Sequence, residues 1–247
     1  MENINDTYFD GYYKDIWRSI IPDELTVKEV DFMLSYFSLQ PGNKILDLLC
    51  GYGRHAIALA KKGMSITAID NLIDYINEIK QAAIKENLPI IALQADVLTY
   101  EPNGVFDLVI CMGNSLNFFN ADDTQRLLRN ISLHLEKGGC LLINSWSIAE
   151  IAIKNFKDRS WNNIGDKKFL VESQFLFHPT RIESEHFILT ADEKTETKKA
   201  IDYIFSINEM EAMLNAAGFI LKEIYSIPGR KKFTVGEPRS YFVAEKS

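Results

Sequence analysis

Apolar and polar positions change their period along the chain, and the changes divide it. From Lys44 onward short apolar runs alternate with segments whose apolar residues recur every three or four positions. The runs Lys44 to Leu49, Met64 to Ile69, Ile90 to Leu93, Val105 to Cys111 and Cys140 to Asn144 read as strands buried on both faces. Between them, Arg54 to Lys62, Leu72 to Glu86 and Ala121 to Leu135 carry apolar stripes such as Leu72, Ile76, Ile79 and Ala83, which predict amphipathic helices. Strands separated by helical crossovers imply a parallel sheet. Residues 150–205 switch to period-two alternation in Lys168 to Phe177, Arg181 to Leu189 and Lys199 to Phe205, with a polar hairpin tip at Ala191 to Lys198, so an antiparallel insertion is expected there. Ser206 to Glu209 is a capping box opening a helix that Gly218 closes, and Ile220 to Ile227 and Ser240 to Ala244 are two last strands. Near the start, Phe9, Tyr13, Ile16, Trp17 and Ile20 fall at helical spacing, and Thr26-Val27-Lys28-Glu29 resembles a second capping box ahead of Val30, Met33, Leu34 and Phe37. The expected architecture is α/β: a doubly wound, mostly parallel, seven-stranded sheet with an antiparallel β insertion. Its parts are an N-terminal helical segment or lid (1–40), an α/β domain (41–149 and 206–247) and the insertion (150–205).

Composition narrows the class. The 247 residues are 47% hydrophobic and 25% charged, ordinary for a globular chain and unlike a disordered or fibrous one. A net charge of −7, with scattered basic pairs only, argues against nucleic acid as the main ligand. Cys50, Cys111 and Cys140 lie in apolar runs without CxxC spacing, which suggests neither a disulfide framework nor a zinc site and fits the reducing cytoplasm. The acidic, polar first residues are unlike a signal peptide, and no apolar run approaches the ~18 residues of a membrane span.

The chemistry concentrates at the ends of the parallel strands. In Asp47-Leu48-Leu49-Cys50-Gly51-Tyr52-Gly53-Arg54-His55, the glycines remove side chains where the first strand meets the first helix, so a ligand can approach the backbone N–H groups. Asp70 ends the second strand, where a carboxylate can accept hydrogen bonds from ribose hydroxyls. Asp96-Val97 and Met112-Gly113-Asn114 follow the third and fourth strands, on the carboxyl edge where open α/β sheets bind ligands. Polar groups at four strand ends thus converge on one crevice, and the spacing points to a ribose-bearing cofactor.

With those residues in view, the sequence resembles the class I S-adenosylmethionine-dependent methyltransferases from about Leu25 to Lys246. The Glu136 to Gly139 and Ala216 to Phe219 turns resemble the family as well. The resemblance implies a Rossmann-like methyltransferase fold and S-adenosyl-L-methionine as cofactor. It places the amino acid part of the cofactor at Asp47, Gly51 and Gly53, the ribose at Asp70 and the adenine beside Asp96 and Val97. Leu49, Cys50, Asn71, Met112 and Gly113 complete the expected cofactor site. The family's glycine loop reads D-x-G-x-G-x-G, and here Leu49 replaces the first glycine, which bears on the backbone path near the sulfonium. Within the family the chain looks like enzymes that methylate small-molecule amines or hydroxyls, in which the insertion roofs the substrate pocket. Tyr8, Tyr12, Asn114 and Arg181 are the candidate substrate contacts, and Tyr13 and Asn117 the candidate catalytic side chains. No metal is expected.

Bland readings stand beside these. The aromatic cluster also suits an ordinary buried stripe, His55 and Cys50 suit packing, and Asn114, Ser115 and Asn117 suit turn chemistry. Glu183 and Glu185 share one strand face and Ser184 and His186 the other, which suits a polar sheet better than a metal site. Two other functions compete. Gly51 to Ala56 also satisfies G-x-G-x-x-A, so an NAD-dependent oxidoreductase is the alternative, but Asp47 beside the loop would repel a pyrophosphate and no Tyr-x-x-x-Lys pair exists. A non-catalytic cofactor-binding protein of the same fold is the third reading. The sequence leaves open the acceptor, the use of a general base and the oligomeric state.

Overall fold

A computed structural model describes residues 3–247. A 3-10 turn at Ile4–Thr7 leads into α1 (Gly11–Ile20) and α2 (Asp23–Tyr36). The wound part runs β1 (Lys44–Leu48), α3 (Arg54–Ala60), β2 (Ser65–Asp70), α4 (Ile73–Glu86), β3 (Ile90–Gln94), β4 (Phe106–Cys111), α5 (Ala121–Leu133) and β5 (Leu135–Ser145). Next come α6 (Ala149–Asn155) and the strands β6 (Arg159–Ile164), β7 (Lys167–Phe177), β8 (Thr180–Leu189) and β9 (Thr195–Tyr203). The chain closes with α7 (Ile207–Ala216), β10 (Phe219–Ile227), β11 (Lys231–Lys232) and β12 (Ser240–Lys246).

The central sheet has the order β11-β10-β12-β5-β4-β1-β2-β3, and β6 to β9 form a separate antiparallel sheet in sequence order. Strands β1 to β5 are parallel, while β12 pairs antiparallel with both β5 and β10. Burial explains the winding: Ile45, Leu46, Leu108, Val109 and Ile110 are fully covered, so both sheet faces must carry helices. Leu46 and Val109 pack with Leu127, Leu128 and Leu214 of α5 and α7 on one face. Ile45 and Leu108 pack with Met33, Leu59 and Ile79 of α2, α3 and α4 on the other. A smaller cluster of Tyr8, Tyr13, Ile16, Ile188 and Ala200 joins α1 to the antiparallel sheet.

Four expectations change in detail. The sheet has eight strands, not seven, because Lys231 and Lys232 pair with Ile227 and Tyr225 as a short, exposed edge strand that carries no apolar signal. The insertion has four strands because β6 pairs with β7, although its mostly exposed residues hide the alternation. Helix α2 begins at Asp23 after Pro22, so Thr26 to Glu29 lies inside the helix and does not cap it; Glu29 is buried and bonded elsewhere. Strand β5 begins at Leu135, and Glu136 to Gly139 forms a bulge between the pairs Phe106–Leu135 and Leu108–Cys140, with Gly138 at φ +83°. The capping box at Ser206 and Glu209 is present in both directions.

Candidate active site

The order β4-β1-β2 brings the ends of β1, β2 and β4 together where the sheet's winding reverses, the place where open α/β sheets hold ligands. A cavity of about 210 Å³ opens there. Of the residues singled out in the sequence, Asp47, Leu49, Cys50, Gly51, Asp70, Asn71, Asp96, Val97, Met112 and Gly113 line it.

Asp47 lies one residue before the end of β1 at 1% exposure, and its Oδ2 has no hydrogen-bond partner among the described residues. Burial raises its carboxyl to about 7; Arg54 pulls it down, Asp70 pushes it up, and the Ala56 N–H lowers it. Asp70 is held differently. Its Oδ2 accepts from the Gly51 N–H at 2.8 Å and its Oδ1 from the Leu72 N–H at 3.0 Å, so the carboxylate fixes the glycine loop while facing the cavity. Burial raises the Asp70 carboxyl, against the lowering pull of the Leu72, Gly51 and Asn71 N–H groups. Asp96 is anchored by accepting from the Leu98 N–H at 2.9 Å.

The loop conformation explains its residues. Leu49 sits at φ +56° and Gly51 at φ +54°, both in the left-handed region. For Leu49 this costs roughly 1–2 kcal/mol of local strain, since its Cβ crowds the following carbonyl. At Gly51 an added Cβ would meet no protein atom within 4 Å, so the space there belongs to the cavity. Gly53 does not line the cavity; its missing side chain lets Ile79 approach, since a Cβ would lie 2.5 Å from Ile79 Cγ1. Cys50 is pushed well up by burial and by the charges of Asp47 and Asp70, so its thiol stays protonated.

The candidate substrate and catalytic residues do not gather in the cavity wall. Tyr8, Tyr12 and Tyr13 are absent from it, because Tyr13 and Ile16 form the face that α1 buries against the antiparallel sheet. Tyr8 instead contacts His186 Nδ1 through its hydroxyl at 2.6 Å. The aromatic side chains that do reach the cavity from this segment are Phe9 and Trp17. Asn114 is a buried hub at φ +70°. Its Oδ1 accepts from Ser145 Oγ and from the Trp146 and Ser147 N–H groups, and its Nδ2 donates to Ser147 Oγ and Asp202 Oδ1. Asn117 is likewise consumed, donating to the Ser147 and Tyr203 carbonyls and accepting from Ser145 Oγ. Arg181 pairs with Glu183 and the His178 and Pro179 carbonyls, away from the cavity.

Some wall residues carried no local sequence signal. Asn3, Asn5 and Asp6 close one side, and the Asn71 Nδ2 donates to the Asp6 carbonyl at 2.8 Å, fastening the N-terminal segment to the end of β2. Beside the cavity, Glu29 gathers Arg54 Nη1 at 2.6 Å, His55 Nε2 at 2.9 Å and the Tyr241 hydroxyl at 2.7 Å. Burial alone would raise the Glu29 carboxyl, but His55, Arg54 and Tyr241 hold it at about 2. His55 is thus a packing and bonding residue of this cluster, its basicity reduced first by burial and then by Arg54.

Known proteins resemble this chain in sequence and in fold. A family model described as a methyltransferase domain matches residues 45–139, which spans the strand ends described above. A Bacillus subtilis (strain 168) protein that bears the name methyltransferase YqeM is 28% identical over 85% of this chain and 87% of its own length. The glycine/sarcosine N-methyltransferase of Halorhodospira halochloris is 25% identical over 58% of this chain and 54% of its own length. A crystal structure of an S-adenosylmethionine-dependent methyltransferase from Clostridium acetobutylicum ATCC 824 superposes with a TM-score of 0.81, covering 96% of each chain at 18% identity, a likeness of fold. The matched sequence span and the near full-length relative agree that the chain carries a methyltransferase domain, and its fold is that of S-adenosylmethionine-dependent methyltransferases, consistent with class I of that family.

Proposed function

We propose that this methyltransferase transfers its methyl group to a nitrogen or oxygen of a small molecule, with the cofactor held by the carboxylates at the ends of β1, β2 and β3. The observation that carries the reading is the unpartnered Asp47 Oδ2, buried at the wall of a cavity that Asp70 and Asp96 also line. A buried carboxylate oxygen with no hydrogen-bond donor is costly even with Arg54 acting on it through space, and the α-ammonium of S-adenosylmethionine supplies a donor with positive charge. Asp70 keeps lone pairs free for two ribose hydroxyls, Asp96 and Val97 flank the adenine, and the open space at Gly51 takes the part of the ligand nearest the backbone. Leu49, Cys50, Asn71, Met112 and Gly113 complete this wall.

When bound, the cofactor supplies an electrophilic methyl on a positive sulfur. The protein's task is then mainly to align the nucleophile with that methyl and exclude water, since orientation alone lowers such barriers by ~7–11 kcal/mol at best. Phe9, Trp17 and Phe118 close the apolar side of the cavity, and aromatic faces favour a sulfonium. The same arrangement disfavours NAD, because Asp47 would face its pyrophosphate. An acidic chain with only scattered basic pairs supports a small acceptor over nucleic acid. The N-terminal segment 1–40 is read as the lid and the four-stranded insertion as the roof of the acceptor side. Incubation with S-adenosylmethionine and a panel of small amines and alcohols, read as release of the demethylated cofactor, tests the proposal. Turnover of small acceptors is expected, and methylation confined to RNA or protein would overturn it.

A further inference from the structure

Asp202 is a carboxylate that the cofactor site does not use. The backbone on either side of it is clamped: Asn5 exchanges hydrogen bonds with the Ile201 N–H and C=O at 2.9 Å each, and Asn117 Nδ2 donates to the Tyr203 C=O at 2.8 Å. Its Oδ1 accepts from Asn114 Nδ2 at 3.0 Å and Ser147 Oγ at 3.2 Å. Both donors are neutral. Among the described residues Oδ2 has no hydrogen bond, no Lys, Arg or His forms an ion pair with the carboxylate, and the residue keeps partial solvent access. Gly113 and Ser115, the chain neighbours of Asn114, line the cavity, so Asp202 is joined to its wall through the Asn114 side chain without being part of that wall. The titratable groups that face it from α1 and the segment before it are Tyr13 and Tyr8, and Tyr8 is bonded in turn to His186 of β8.

We propose that Asp202 is the acceptor anchor of this enzyme, binding an amine substrate as its ammonium cation through Oδ2 and taking the proton that must leave before methyl transfer. The inference rests on the small-molecule reading above and narrows it to amines. A held carboxylate with no cation is an unbalanced charge, and an ammonium balances it where an alcohol does not. The neighbouring groups do not compete: burial raises Tyr8 and Tyr13, Tyr13 to about 12, and lowers His186 to about 4, so all three are neutral near pH 7. Burial, against the Ser147 and Asn114 hydrogen bonds, raises Asp202 to about 6, closer to the basicity a proton acceptor needs. The step balances as follows. An N–H proton passes to Asp202 Oδ2, which frees the nitrogen lone pair. That pair forms the N–CH3 bond while the C–S bond breaks and its electrons return to sulfur, leaving a neutral thioether. The methylated nitrogen is cationic, and the proton on Asp202 goes to solvent.

The test compares benzylamine, cyclohexylamine and glucosamine with benzyl alcohol, cyclohexanol and glucose, measuring release of demethylated cofactor by the wild type and Asp202→Asn. Asparagine retains an oxygen for Asn114 and Ser147, and circular dichroism with the affinity for the demethylated cofactor verifies that the variant folds. The expected result is turnover of amines over matched alcohols, with kcat for amines reduced by ~100-fold or more in Asp202→Asn. Affinities for both cofactor forms should stay within about twofold, since the anchor lies outside the residues assigned to the cofactor. Alcohol turnover without amine turnover overturns the amine inference and leaves the small-molecule reading standing. Unchanged amine kinetics in Asp202→Asn overturn the role of Asp202. Weakened binding of S-adenosylmethionine but not of its neutral demethylated product reassigns the carboxylate to the sulfonium and overturns the proposal. Turnover of no probe in either class overturns both readings.

Discussion

Replacing Asp47 by Asn should make the ligand-free protein more stable while removing its cofactor binding. The carboxyl rises from 3.8 in the unfolded chain to about 7 in the fold because it is buried with one oxygen unpartnered. A group raised in this way binds more protons folded than unfolded between those two values, so its effect on stability is unfavourable as pH rises and is complete above the folded value. At ~1.4 kcal/mol per unit, the ionised Asp47 costs the apo fold about 4 kcal/mol at pH 8. The amide has its own desolvation cost of ~1–3 kcal/mol, so a net gain of roughly 2 kcal/mol is expected in Asp47→Asn at pH 8. For a chain of this size that is a rise in Tm of about 4–8 °C. Urea unfolding of both proteins at pH 8 and pH 5 measures it, and the gain should shrink at pH 5, where the folded wild type already carries the proton. Isothermal titration of the same variant with S-adenosylmethionine should show affinity reduced by ~100-fold or more, as a buried charged pair is lost. A variant less stable than the wild type at pH 8, or one that binds the cofactor normally, would refute the assignment of Asp47 as an unsatisfied carboxylate waiting for a cation.

Three other substitutions test neighbouring parts of the site. Glu29→Gln leaves Arg54 facing a neutral amide in a buried cluster and should cost ~3–5 kcal/mol in urea unfolding. In the wild type the ionised Glu29 stabilises above the unfolded value of 4.5, and that contribution should disappear as pH falls toward about 2, visible as a steeper acid transition than in the variant. Gly51→Ala adds a methyl that meets no protein atom at a left-handed φ, so stability should fall by only ~1 kcal/mol while cofactor affinity falls at least tenfold in titration. Leu49→Gly relieves left-handed strain but gives up partly buried side-chain area and adds chain entropy, so denaturant midpoints should show a change within ~1 kcal/mol.

The cofactor side was largely legible in the sequence because its signals are local. Strand ends, glycines and carboxylates follow one another within the β1–α3 and β2–α4 connections, and Asp47, Gly51, Asp70 and Asp96 all reach one cavity. Gly53 lies outside that cavity wall, and the space its missing side chain leaves is taken by Ile79. The surroundings of the candidate acceptor residues were hidden because they are assembled by long-range contacts. Asn114 and Asn117 follow β4 as a substrate loop would, yet their side chains are taken up by Ser145, Ser147, Tyr203 and Asp202, partners distant in sequence. Helical periodicity identified the aromatic stripe of α1, but which ring faces the cavity depends on where the antiparallel sheet packs, and that puts Tyr13 inside and Trp17 at the wall. Glu29 imitated a cap because T-x-x-E is a local pattern, whereas its partners Arg54, His55 and Tyr241 come from three other places in the chain. The edge strand β11 and the exposed β6 escaped notice because neither has a buried face to give it a period.

The central claim is that the cavity at the ends of β1 to β4 holds S-adenosylmethionine, with its ribose on Asp70. Isothermal titration with the demethylated cofactor, run on the wild type and on Asp70→Ala, tests it most directly. Saturable one-to-one binding by the wild type is predicted, weakened by ~1–3 kcal/mol in the variant as hydrogen bonds to a buried charge are lost. Absence of binding to the wild type, or equal affinity in both proteins, would contradict the account.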